Sequence, residues 1–351
     1  MISRDDLRAA VGSGLLSEAQ AASLAALADS RRGARENLGP GDEPFELFKG
    51  FNEIFIVVGL GILAMGWVAV VSTSMLTGFV NYQRHMVSAA VVGALILWAL
   101  SEYFIRRRRM VAPAIALSVM FAGNAVLGMT SQFGEIFMIA QGSYSSLPFA
   151  LGLSTLALAI YWWRFRVPFA MALIALGVFA VSLIWAADNA GAPTDPTDLF
   201  LLSANGPFAL ITLVVGLVVF SIAMAFDMSD PHRVTRRSAQ GFWLHVVAAP
   251  ALVNTIALTL LESDRQILLA LVLGLFALIA IIIDRRSFLI TAIGYIVALS
   301  ATVLDVEGTG YGILALGVGL VILGAFWARI RAALLSPLSA VLPLHRLPPS
   351  H

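Results

Sequence analysis

Residues 54–74 read IFIVVGLGILAMGWVAVVSTS, a stretch without one charged side chain. A bilayer's hydrocarbon core, about 30 Å thick, takes roughly 20 helical residues to cross, and this stretch has that length. Further apolar runs follow at 86–104, 111–130, 148–163, 168–187, 207–226, 242–261, 266–283, 287–304 and 310–327. The whole chain is 59% hydrophobic and 12% charged, with a mean hydropathy of +0.89. No water-soluble globule needs so large an apolar fraction. The expected fold is therefore an all-α integral membrane protein with about ten transmembrane helices.

The basic residues orient these spans. Arg106 to Arg109, Arg164 with Arg166, Arg233 with Arg236 and Arg237, Arg285 with Arg286, and Arg329, Arg331 and Arg346 fall between alternate pairs of runs. They share a side with the N-terminal segment, which places 20 of the 22 basic residues there and leaves Arg84 and Arg265 opposite. The other side carries Glu135, Asp188, Asp195, Asp198, Glu262, Asp264, Asp305 and Glu307. A missed span would invert every later loop, so the alternation supports ten crossings with both termini cytoplasmic.

Residues 1–44 are expected to form a small cytoplasmic helical hairpin and linker, ahead of a membrane domain at 45–330 and a cytoplasmic tail at 331–351. Ser3 with Asp6, and Ser17 with Gln20, have the spacing of capping boxes, and Gly12-Ser13-Gly14 stops the first helix. The stretch 30–44, SRRGARENLGPGDEP, reads as a linker, and Phe45, Phe48, Phe51 and Phe55 lead helically into the first span. A hairpin this short rests on something else: the membrane domain, the lipid surface, or a cytoplasmic protein partner bound through residues 1–50.

Cysteine is absent, which excludes disulfides, thiolate metal sites and cysteine nucleophiles. A net charge of +1 gives no field for nucleic acid. The five histidines have no metal-ligand spacing, and no zincin, phosphate-loop, dinucleotide or nucleophile-elbow pattern is present. No catalytic residue, cofactor or metal is assigned, and an enzyme is the less favoured expectation.

The candidate site residues are polar groups inside the spans. Asn124 is deep in the third span, with Gln132 and Glu135 towards its outer end, a set that reads as a polar pathway or as helix-to-helix bonding. Pro250 interrupts the seventh span's hydrogen bonding, Asn254 follows one turn later, and His245 lies near its cytoplasmic start. Glu102 precedes the arginine cluster at the spacing of an ion pair on one helix face, and Glu53 before the first span shares its ambiguity between pairing and proton transfer. No carboxylate falls near the centre of any run, which argues against a carboxylate-driven pump.

Leu7-Arg8-Ala9-Ala10-Val11-Gly12-Ser13-Gly14-Leu15-Leu16-Ser17-Glu18-Ala19-Gln20 ahead of a multi-span domain resembles bacterial predicted inner-membrane proteins of unknown function. So do Asp230 to Ser238 (DPHRVTRRS), Gly241 to Pro250 (GFWLHVVAAP) and Asp284 to Phe288 (DRRSF). The resemblance implies no activity and assigns no site residue. The residues themselves favour a small-solute transporter or permease built around the third and seventh spans. A non-transporting scaffold or assembly subunit comes next, and an intramembrane lipid-modifying enzyme third.

Overall fold

The computed structural model describes residues 10–17, 51–75, 82–135, 144–230, 236–263, 265–285 and 321–338, with the single positions 20, 24, 27, 314, 317–319 and 347. Outside the described residues lie the Ser3–Asp6 box, the 30–44 linker, Phe45 and Phe48, His232, Arg233 and the run at 287–304. Within them every regular element is helical. In the N-terminal segment the helix ends after Gly12, and the Ser17–Gln20 box is made in both directions. The Ser17 amide donates to Gln20 Oε1 at 3.0 Å and the Gln20 amide to Ser17 Oγ at 3.2 Å.

Eight helices stand where the first eight apolar runs were expected: α1 Phe51–Met75, α2 Tyr82–Ser101, α3 Ala112–Phe133, α4 Leu147–Phe165, α5 Pro168–Ala190, α6 Phe208–Met228, α7 Arg236–Glu262 and α8 Gln266–Ile283. Six of them (α1, α2, α3, α5, α6 and α7) are long and apolar enough to cross a membrane. The six become seven when a bent pair near the C-terminus, Gly317–Ala325 with Arg329–Pro337, counts as one crossing. In α4 the run is diluted by Trp162, Trp163 and Arg164, and in α8 the apolar part is the shorter Ile267–Ile283. The described residues thus hold fewer membrane-length helices than the ten expected. A further helix, α9 Trp327–Leu338, turns by 82° from the stretch before it and runs into the segment read as a tail.

Prolines at the starts of α3, α4 and α5 cost no hydrogen bond there, since first-turn amides have no intrahelical acceptor. Pro250 lies inside α7, which continues through it. The last turn of α2 widens into a π-helical segment, Glu102–Arg107. The starts of α1 and α3 meet through Glu53, whose carboxylate is buried and accepts from the Ala112 amide at 2.9 Å and the Val111 amide at 3.4 Å. Glu53 is therefore a cap for α3 supplied by another helix, because Val111 offers no side-chain cap of its own. At the same end Glu102 accepts from Arg106 at 3.2 Å, the pair its spacing predicts, and from Arg164 at the end of α4 at 2.6 Å.

The other end is tied in the same way. Gln83 at the start of α2 donates to the Gln132 carbonyl at the end of α3, and the 3-10 turn Pro196–Leu199 leads to Ser203, which bonds Glu262 at the end of α7 at 2.7 Å. Backbone and side-chain hydrogen bonds from Thr197 hold the Asp195 carboxyl below its ordinary pKa. Helix ends thus alternate along the chain, and Arg106–Arg109, Arg164, Arg166, Arg236, Arg237 and Arg285 gather at one end of the bundle.

The packing has the character of a membrane domain. Interior positions are small: Ala150, Ala170, Ala223, Ala248, Ala249, Ala257 and Ala280 are fully buried, while Phe55, Ile62, Met65, Leu95, Leu271 and Leu275 face outward. Small residues bring backbones close, which drives helix association when lipid is as apolar as the side chains. One core cluster joins α1 to α5 around Trp98, Phe121, Tyr161 and Phe165, with the Phe121 and Tyr161 rings stacked at 4.6 Å. Two others join α5, α6 and α7, and α6, α7 and α8.

Candidate functional site

At the arginine-rich end, α6, α7 and α8 meet on charged side chains. Asp227 sits in the last turn of α6 and is 5% exposed; His245 in α7 is 0% exposed and Arg285, just past α8, is 1% exposed. His245 Nε2 lies 2.9 Å from Asp227 Oδ2, and Arg285 Nε donates to that oxygen at 2.9 Å. Arg285 Nη2 donates to Asp227 Oδ1 at 2.5 Å and to the Ser238 carbonyl at 3.0 Å. The guanidinium thus grips the carboxylate with two nitrogens, the strongest geometry open to this pair, and His245 occupies the remaining approach.

Local structure explains how these groups converge. Asp284 adopts a left-handed conformation, φ 55°, that closes α8: the Asp284 amide returns to the Ile281 carbonyl at 3.3 Å and the Arg285 amide to the Ala280 carbonyl at 2.9 Å. Glycine usually fills this role, and aspartate is among the few side chains that tolerate it. The turn ends the helix and leaves Arg285 buried in the bundle. The Asp284 side chain then accepts from Trp327 Nε1 at 2.7 Å, which docks α9, and Arg331 in α9 donates to the Ile281 carbonyl at 3.1 Å. Opposite, α7 presents Gly241, where a Cβ would collide with the Asp227 carboxylate and press on the Ala223 carbonyl. Only glycine lets the two backbones approach closely enough.

Of the six sequence candidates, His245 alone joins this cluster. Asn124 is half-buried and donates to the Ala90 carbonyl of α2 at 2.8 Å, beside Gly93, where any Cβ would meet its amide oxygen. That is a helix-to-helix bond. Gln132 and Glu135 are exposed at the far end of α3; the Gln132 carbonyl accepts from Gln83, and the Glu135 amide donates to Ser146 Oγ at 3.1 Å. Pro250 and Asn254 are half-buried within α7. Among the described residues no group of three or more His, Asp or Glu could hold a metal.

Among the described residues, cavities open at both ends of the bundle, and none of the six candidates lines the two described next. One, of about 530 Å³, lies at the far end among Thr194, Asp198, Ser203, Asn205, Glu262 and Ser263. The other, of about 730 Å³, lies at the arginine-rich end between α4, α6 and α7 and is lined by Trp162, Arg166, Phe226, Arg236, Arg237 and Gln240, among others.

Asp227, Ser238 and Arg285 escaped the sequence reading. Asp227 falls one residue beyond the apolar run at 207–226, and Arg285 reads as an ordinary orientation marker. Ser238, Gly241, His245 and Arg285 lie within the three stretches 230–238, 241–250 and 284–288 quoted above for their resemblance to inner-membrane proteins. Comparisons with protein-family models, with curated proteins and with solved structures found no match. The fold supports the general part of that resemblance, a multi-span, largely helical chain of membrane-protein character.

Proposed function

We propose that the chain is a small-solute transporter or permease of a bacterial inner membrane, with ten spans, both termini in the cytoplasm and the arginine-rich end on that side. The observation that carries this reading is the buried Asp227–His245–Arg285 cluster. A buried ion pair has to repay the desolvation of both charges, and replacing one with apolar residues of similar volume is often neutral or stabilising. A purely static clasp between α6, α7 and α8 would not need charges. As a latch that parts and re-forms, the cluster gives these helices two defined arrangements, and Pro250 weakens α7 at the point where it would bend.

The N-terminal segment, with its Ser17–Gln20 cap, is assigned to contact with lipid or a cytoplasmic protein. The test of transport is solute release. Proteoliposomes loaded with a defined mixture of small neutral and anionic metabolites are compared with protein-free vesicles and with Asp227→Asn, after size-exclusion chromatography has shown the variant to be monodisperse. Release of at least one solute about tenfold faster through the unaltered chain supports the proposal. Equal release from all three preparations contradicts it and leaves the scaffold reading in its place.

A further inference from the structure

The cavity between α4, α6 and α7 has features that span orientation alone does not require. Part of the charge at this end is paired: Arg164 and Arg106 with Glu102, and Arg285 with Asp227. Arg166 and Arg236 are exposed, line the cavity, and have no ion pair or hydrogen bond through their side chains among the described residues. Arg237 lines it as well, and among the described residues no acidic side chain does.

Neutral donors stand beside these charges. The Trp162 ring supports the Arg166 guanidinium at 4.8 Å, and its buried Nε1 has no hydrogen-bond partner among the described residues. Gln240 reaches the cavity from α7 while only 5% exposed, and its amide likewise has no partner there. A buried polar group left unpaired costs about 1–3 kcal/mol, so the Trp162 Nε1 in this arginine-lined cavity points to a ligand that accepts hydrogen bonds, and the Gln240 amide stands beside it as a second donor. The remaining wall consists of the apolar Ile222, Ala225 and Phe226 and of Ser229, whose hydroxyl donates to the Phe226 carbonyl at 2.7 Å.

We propose that this cavity binds a phosphate group, either the headgroup of an anionic phospholipid or a free phosphate. Arg166 and Arg236 carry the charge recognition, Arg237 adds to the field, and Gln240 and the Trp162 indole donate to phosphate oxygens. Planar guanidinium groups suit this acceptor because each presents two parallel N–H bonds. The site stands whether or not the chain transports anything.

The experiment uses the full chain in two arms. In the first, native mass spectrometry follows phosphatidylglycerol retained from nanodiscs of phosphatidylcholine with phosphatidylglycerol. In the second, calorimetry follows inorganic phosphate added to protein in nanodiscs of phosphatidylcholine alone. Arg166→Gln/Arg236→Gln is compared with Arg107→Gln/Arg109→Gln, which removes the same charge from another exposed turn at the same end. Retention in the first arm identifies a lipid headgroup and binding in the second a soluble phosphate, and either supports the proposal if the cavity pair loses about tenfold or more while the control pair loses little. Binding in neither arm, or equal loss in both pairs, overturns it.

Discussion

Asp227 and Asn124 show how differently two polar residues between helices can contribute. Truncating one partner of a buried ion pair leaves the other charge uncompensated, at a cost of about 3–5 kcal/mol. Asp227→Ala strands Arg285 in this way and should lower the melting temperature of the detergent-solubilised chain more than any other polar-to-alanine change in α6 or α7. Asn124 makes one interhelical bond to the Ala90 carbonyl, and such bonds in membranes average about 0.6 kcal/mol and reach about 1.7. Asn124→Ala should therefore shift the same midpoint only slightly. A large effect would mean that Asn124 belongs to a network beyond α2. Position along a run did not single out Asp227: Asn124 lies mid-run, whereas Asp227 lies at a run's edge.

At the scale of elements, composition located the helices well because crossing length and hydropathy act on every one of them. The eight expected runs from 54 to 283 all fall on helices, with ends displaced by a few residues. Caps within one element were readable too, as the Ser17–Gln20 box shows. Caps between elements were not. Glu53 lies far along the chain from the Val111 and Ala112 amides it accepts, and no spacing rule reaches that distance. Glu53→Ala leaves the start of α3 with free buried amides and should cost about 0.5–2 kcal/mol, the usual range for losing a cap. Hydrogen exchange checks this: the first turn of α3 should lose protection while the middle of α1 keeps its own. The 82° turn into α9 was equally hidden, since it depends on Asp284 and Arg331 holding α9 against the end of α8.

Across the described residues of the molecule, contacts at the helix ends gather the basic clusters from Arg106 to Arg285 at one end of the bundle. That pattern was legible because charge excludes itself from lipid wherever it occurs in the chain. The cluster at α6, α7 and α8 was not, because it arises from the Asp284 turn and the close approach at Gly241, neither of which leaves a periodic trace. The functional account depends on whether those three helices move. Since the chain has no cysteine, a single cysteine can report on α7 without background. The measurement is the rate at which Asn254→Cys in proteoliposomes reacts with a membrane-impermeant maleimide added to one side or the other, with Asp227 intact and with Asp227→Asn. A transporter predicts reaction from at least one side and faster reaction from the arginine-rich side once Asp227 is neutralised. No reaction from either side in both backgrounds would show α7 sealed within a static bundle and contradict the account.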